Sequence, residues 1–257
     1  MSLELFSLAG KTALITGSSR GLGRAFAEGL AAAGATVILN GTNSERLSQA
    51  CKEMSDAGMK VDMSLFDVTD EAAIKAAFDR FDAAGMQIDI LINNAGIQKV
   101  LKFDRELEEA ELCAEVEVNF TGLLLLTNAL LPALLAQPKA GVINVTSGLA
   151  YVPLASTPVY CATKAALRSF SASLRYQLKE TGVSVIEVVP PKVDTALHRD
   201  QEAEIPGMSV DDFLRQTLVG LNKGQEQIFV GKARYLRWLA RLAPEWIMNK
   251  LNASDPR

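Results

Sequence analysis

A tyrosine and a lysine four residues apart, Tyr160 and Lys164, stand in the stretch 158-PVYCATKAALRSF-170, behind a proline and among good helix formers. At that spacing the two side chains share one helix face, one turn apart. Two readings are open: an exposed pair, or an acid with its cation. The ordinary pKa of a phenol, about 10, is too high for a base at neutral pH. A cation within a few ångström favours the phenolate and lowers that value, so Lys164 is placed to tune Tyr160. Upstream, Ser147 ends the run 141-GVINVTS-147. A hydroxyl there either makes a turn or stabilises charge building on a substrate oxygen.

A second chemistry-bearing stretch is 16-TGSSRGLGRAFAEGLAAAG-34. Gly17, Gly21 and Gly23 fall at a strand-to-helix junction, where small residues let a pyrophosphate approach a helix N-terminus. Their spacing, G-x-x-x-G-x-G, differs from the usual G-x-G-x-x-G fingerprint. The next strand ends in 40-NGTN-43 without an acid. A carboxylate there would bond the adenosine ribose and repel a 2′-phosphate. Its absence, with Arg20 in the glycine loop, tilts the cofactor toward NADP(H), with NAD(H) as the alternative. Asp67 could accept from an adenine amino group or simply open a turn with Thr69 and Asp70.

These residues need elements that converge. Apolar, β-branched runs at 12–16, 36–40, 60–66, 89–93, 141–145, 183–189 and 227–231 read as strands. Helix-like segments at 21–33, 43–57, 70–83, 103–136 (as two helices), 158–181 and 209–222 lie between them. Several strands are apolar on both faces, as parallel strands covered by helices are. The alternation predicts a doubly wound α/β fold with a parallel seven-stranded Rossmann sheet. No linker divides residues 1–257, so one dinucleotide-binding domain is expected, with a substrate lid over about 194–222. The segment 232–251 predicts a C-terminal helical hairpin broken at Pro244.

Bulk properties exclude several classes. A net charge of −4 and a pI near 5.2 argue against nucleic acid. Three cysteines without paired spacing, Cys51, Cys113 and Cys161, predict a reducing, cytoplasmic setting. MSLELFSLAGK lacks the pattern of a signal peptide. The run 123-LLLLTNALLPALLA-136 is shorter than the roughly 20 residues of a membrane span and reads as a buried helix. No His, Cys or Asp grouping has metal-ligand spacing. Cationic and aromatic residues mix in the tail, but a membrane partner is disfavoured by the negative chain.

Seven motifs in register, TGSSRGLG at 16–23, DV at 67–68, NNAG at 93–96, Asn119, Ser147, the Tyr160/Lys164 pair and PPKVDT at 190–195, resemble the short-chain dehydrogenase/reductase family. The resemblance implies a nicotinamide cofactor and a catalytic set of Asn119, Ser147, Tyr160 and Lys164. Tyr160 would be the acid/base and Lys164 would also bond the nicotinamide ribose. Ser147 would polarise the substrate oxygen, and Asn119 would hold a water in a proton relay or bond helix backbone. Gly17, Ser19, Arg20, Gly21, Leu22, Gly23, Asn40, Asp67, Val68, Asn94, Ala95, Gly96, Pro190, Val193 and Thr195 would face the cofactor. The Arg that many NADP-dependent relatives carry at the position of Thr42 is missing.

The first hundred residues look like gluconate 5-dehydrogenases; from about Glu115 the chain looks like DltE-type oxidoreductases. Around Ser147 and Tyr160, the side chains Leu149, Tyr151, Val152 and Leu154 are expected to line the substrate pocket, with Leu197, Ile205 and Met208 from the lid. The sole histidine, His198, is expected to be exposed. That lining suits a medium-sized ketone or secondary alcohol better than a polyhydroxy acid. Sugar-acid oxidation and non-catalytic nucleotide binding remain as alternatives. The helices at 103–136 and 158–181 carry surplus apolar residues, so a homodimer is expected rather than a tetramer.

Overall fold

The computed structural model describes residues 8–195 and 207–253. Seven parallel strands form one sheet: β1 (Thr12–Ile15), β2 (Thr36–Gly41), β3 (Val61–Leu65), β4 (Ile90–Asn93), β5 (Ala140–Val145), β6 (Val183–Val189) and β7 (Gln227–Phe229). Their order is β3-β2-β1-β4-β5-β6-β7. The chain runs outward from β1 to β3 and then returns to lay β4 on the other side of β1. A crevice therefore opens at the carboxyl ends of β1 and β4, where ligands bind in sheets of this topology. Both expected features, the doubly wound sheet and its seven strands, are present.

Alternation explains why the central strands read as apolar throughout. Ala13, Ile15, Val37 and Leu39 pack on one face with α1 (Gly21–Ala32) and α2 (Ser44–Asp56). Leu14 and Ile38 pack on the other with α3 (Glu71–Ala83) and the helix leading to β5. Asp70 caps α3 by accepting from the Ala73 N–H, as the sequence suggested. Gly34 and Gly58 follow the ends of α1 and α2 with φ of 94° and 78°, the left-handed region in which glycine ends helices.

The apolar run predicted as two helices starts later than expected. It comprises α4 (Glu109–Val116), a π turn (Glu117–Thr121) and α5 (Gly122–Leu135). Glu109–Leu135 is long and apolar enough to cross a membrane by length and composition. In the fold, however, Leu123, Leu126, Leu130 and Leu134 of α5 are buried, the last three packing toward the sheet with Val142. A short 3₁₀ turn (Gly148–Ala150) follows β5, and α6 (Pro158–Gln177) follows that. Pro158 is at the first position of α6, where its missing N–H costs nothing.

Within the expected lid over 194–222, the second half forms the helix that the sequence suggested, and its first turn borders the cleft at Ser209 and Asp212. Residues 210–222 form α7 (Val210–Asn222), whose Phe213 is fully buried and meets Phe26 of α1 edge to face at 5.5 Å. Phe213, Thr217, Gly220 and Leu221 are its buried residues and make it part of the helix layer on that face of the sheet. Its start is tied down: Met208 bridges Val193, and the Gly207 N–H donates to Asp194 at 2.8 Å. Leu197, His198 and Ile205 lie outside the described residues. The tail is the expected hairpin, α8 (Ala233–Leu242) and α9 (Pro244–Ala253), with Pro244 opening the second helix.

Truncating Phe213 to alanine should cost about 3–5 kcal/mol by cavity formation. For a chain of this size that lowers Tm by roughly 10 °C, measured by thermal unfolding; a lid residue would leave Tm unchanged.

Candidate active site

The glycine loop is held by the strand beside it. The Thr16 hydroxyl accepts from the Asn94 and Ala95 N–H groups at 3.0 and 2.9 Å, and the Asn94 side-chain amide donates to the Thr16 and Gly17 carbonyls. The two turns approach so closely that a Cβ on Gly17 would stand 2.9 Å from the Ala95 Cα, and Gly17 has φ of 62°. A Cβ on Gly23 would stand 2.5 Å from the Gly17 carbonyl oxygen. Gly23 therefore acts by letting α1 close on the loop and does not line the cleft.

The N-terminus of α1 has no side-chain cap and no acid in its first turn. Left so, its amides and partial positive charge suit an anion. Around it lie Gly17, Ser19, Arg20, Gly21 and Leu22, and beyond the end of β2 lie Thr42, Asn43 and Arg46. Arg46 escaped the sequence reading, which sought the adenosine end at Arg20, at 40–43 and at Asp67; it is four residues past Thr42, in the first turn of α2. Asn40 and Asp67 border the same cleft but are committed elsewhere. The Asn40 amide donates to the Ser64 and Phe66 carbonyls, and Asp67 Oδ1 accepts from the Thr69 N–H and hydroxyl. Val68, Asn94, Ala95, Gly96, Pro190, Val193 and Thr195 also line the cleft. With a volume of about 2070 Å³ the cleft is large enough for a dinucleotide and a second small molecule.

At the carboxyl end of β5 the catalytic candidates converge. The Ser147 hydroxyl, which accepts from the Leu149 N–H at 3.1 Å, also faces the Tyr160 phenol and favours its ionised form. Lys164 is buried, donates to the Val145 carbonyl at 2.9 Å and lies 5.7 Å from the centre of the Tyr160 ring. Desolvation brings its pKa down to about 8, so the ammonium still dominates at neutral pH. Burial raises the Tyr160 phenol above its ordinary value, and the Ser147 hydroxyl only partly opposes this. The expected net depression by Lys164 is thus not the balance here, and the phenol is held as an acid.

Asn119 sits in the π turn, a helix irregularity found mostly at functional sites. Its side chain bonds both backbone groups of Ile97, at 2.8 Å each, and the Thr163 hydroxyl at 3.3 Å. Its side chain thereby fastens the loop after β4. Below it, Asn93 bonds Thr127 and Asn144, and Asn144 bonds Ser171, a buried polar ladder joining β4 and β5 to α5 and α6.

The substrate end departs most from expectation. Leu149 and Leu154 line the cleft, but Tyr151 and Val152 do not. Tyr151 turns away under the tail: Arg168 stacks on its ring at 4.1 Å, Phe229 meets it at 5.4 Å, and its hydroxyl lies 3.5 Å from both Glu187 oxygens. Burial and that carboxylate push its pKa up to about 12. The wall is completed by residues that spacing did not mark: Ile97, Gln98 and Val100 after β4, and Leu236, Leu251 and Ala253 from the tail. Asn252 holds the tail in place, accepting from the Ala155 N–H at 2.6 Å and donating to the Pro153 carbonyl at 3.1 Å. Cys161 is buried and accepts from the Leu154 N–H, pointing away from the cleft as a packed thiol should.

Comparison with known proteins agrees with this geometry. Residues 11–206 match the short chain dehydrogenase family. The chain is 37% identical over 249 residues to the uncharacterized oxidoreductase DltE of Bacillus subtilis, covering 95% of this chain and 97% of that one. It is similar in structure to a gluconate 5-dehydrogenase from Burkholderia cenocepacia in complex with NADP and tartrate: TM-score 0.81, 28% identity, covering 90% and 98% of the two chains. A 3-ketoacyl-(acyl-carrier-protein) reductase from Brucella melitensis complexed with NADH is also similar: TM-score 0.76, 26% identity, 88% and 99% covered. The glycine loop on an uncapped helix, the Ser147, Tyr160 and Lys164 cluster and the matched sequence lead to one conclusion: the chain belongs to the short-chain dehydrogenase/reductase family of oxidoreductases.

Proposed function

We propose that the chain reduces medium-sized, largely apolar ketones to secondary alcohols with NADPH. The observation that carries this is Tyr160, buried beside Ser147 with its pKa raised by that burial, at the apolar end of a cleft whose other end is a bare helix N-terminus. When bound, the nicotinamide supplies the hydride. The glycine loop and the N-terminus of α1 would hold its pyrophosphate, and Val193 and Thr195 would lie toward its carboxamide.

The chain's own residues do the rest. Ser147 donates toward the carbonyl oxygen and stabilises charge growing there. Tyr160 gives its proton to the same oxygen, and Lys164, still charged, stabilises the phenolate left behind. Ile97, Val100, Leu149, Leu154, Leu236 and Leu251 exclude water and set the shape. Gln98, whose side-chain oxygen is buried without a hydrogen-bond partner, offers one acceptor to a substrate hydroxyl. Arg20 and Arg46 flank the place where a 2′-phosphate would lie, which favours NADP(H). Three free thiols fit a reducing cytoplasm. Surplus apolar surface on α5 and α6, with Leu135 at 43% exposure, fits pairing of two copies.

Three measurements test the reading. Tyr160→Phe should bind NADPH as the parent does and lose about 10²–10⁴-fold in kcat; undiminished turnover would overturn the assignment. Arg46→Ala should weaken NADPH binding about tenfold, the scale of one charge-assisted hydrogen bond, and leave NADH unchanged in fluorescence titration. Leu251→Asn should lower kcat/KM for hydrophobic ketones by roughly 10–200-fold while sparing 5-ketogluconate. Turnover confined to the sugar acid in that panel removes the apolar-substrate reading.

A further inference from the structure

The outward side of the C-terminal hairpin has no part in the chemistry above. Its inward side does: Leu236 and Leu251 line the cleft, Ile247 is buried, and Asn252 is bonded to Pro153 and Ala155. Each residue of α8 turns the helix by about 100°, which leaves two further stripes on it. Arg234, Arg237 and Arg241 form one, and Tyr235, Trp238 and Leu242 form the next. On α9, Trp246 and Lys250 repeat the pairing one turn apart. Tyr235, Trp238, Leu242 and Trp246 are each more than half exposed.

Charge is as uneven as polarity. Residues 232–253 carry five cations, Lys232, Arg234, Arg237, Arg241 and Lys250, against one acid, Glu245, a local +4 in a chain of net −4. Among the described residues, none of the five has an ion-pair partner. Three lie over aromatic rings: Arg234 over Tyr235 at 4.8 Å, Arg237 over Trp238 at 5.7 Å and Lys250 over Trp246 at 4.7 Å. Large apolar side chains gathered on a solvent face mark a docking surface. A second copy seated symmetrically would set the five cations of one hairpin against the five of the other, and like charges oppose that. A bilayer with anionic headgroups meets both features at once. Its phosphates attract the cations, and its interface is where aromatic rings with polar edges settle.

We propose that the α8–α9 hairpin docks the protein on an anionic lipid surface. Tyr235, Trp238, Leu242 and Trp246 enter the headgroup layer, and Arg234, Arg237, Arg241 and Lys250 pair with lipid phosphates. The inward side of the hairpin stays on the cleft, so docking leaves the site assembled. For a reductase of apolar ketones, docking also places the enzyme where such ketones partition. That consequence rests on the substrate reading above, whereas the docking itself does not.

The chain has two tryptophans, both in the hairpin, so the emission of the unmodified full-length protein reports the contact directly. Titration with vesicles of phosphatidylcholine and phosphatidylglycerol in equal parts should shift that emission to the blue and carry the protein into the vesicle pellet. Vesicles of phosphatidylcholine alone should bind at least about tenfold more weakly. Arg234→Gln combined with Arg241→Gln should weaken binding to the mixed vesicles about 25-fold, fivefold for each cation, with Tm unchanged. Equal binding to both kinds of vesicle, or no shift with either, overturns the inference. A blue shift that grows with protein concentration in the absence of lipid assigns the face to a second copy and overturns it too. So does an equal shift with short single-stranded DNA, which would mean that charge alone is read. No substrate enters these measurements, so a failed ketone panel is a separate result that removes the substrate reading only.

Discussion

A single bond, from the buried Lys164 ammonium to the carbonyl of Val145, fixes much of what the active site needs. Removing an ammonium from water costs several kcal/mol unless it is well partnered, and the drop of its pKa to about 8 expresses that cost. Val145 is the last residue of β5, and Ser147 follows two residues later. Binding α6 to that carbonyl sets the height of the helix against the strand. One helical turn back from Lys164, Tyr160 is then brought against Ser147. The ladder from Asn93 through Asn144 to Ser171 holds the same helix one layer deeper. Neutral amides do there what a charge could do only at greater expense.

The cofactor end and the substrate end are built on different principles. At the first, contact distances between backbones decide: Gly17, Gly23 and the Ala95 turn leave no room for a side chain, and donors come from the main chain. At the second, side chains from separate parts of the sequence meet. The loop after β4, the turn after β5 and the tail each add apolar surface, and Asn119 and Asn252 stitch two of these segments to the frame.

That difference governs what could be read from the sequence. Strands declare themselves by apolar content on both faces, and the glycine loop by spacing, because the chemistry there is local. Tyr160 and Lys164 were legible for the same reason, being one turn apart. Tyr151 was misplaced because an aromatic residue beside a catalytic loop has no periodicity that says which way it turns; Glu187 and Arg168, distant in sequence, decide it. Leu236 and Leu251 were missed because their helices look amphipathic without revealing which surface they cover. The helix at 209–222 was legible, but not its seat against α1: Phe213 meets Phe26 across 187 positions, a contact that no local pattern carries.

The helix from Glu109 to Leu135 has a consequence for how such a chain can change. Its first part turns Glu115 and Asn119 onto the backbone of the loop after β4, at Lys99 and Ile97, while its second part lays Leu123, Leu126, Leu130 and Leu134 into the protein interior. Adding or deleting one residue rotates everything beyond it by about 100°, turning either the polar pair or the leucines outward. The helix thus behaves as a ruler with both ends already calibrated. Substitutions on its solvent side leave both sets in place, whereas a change of length between them has to be taken up locally, as a π turn such as Glu117–Thr121 does.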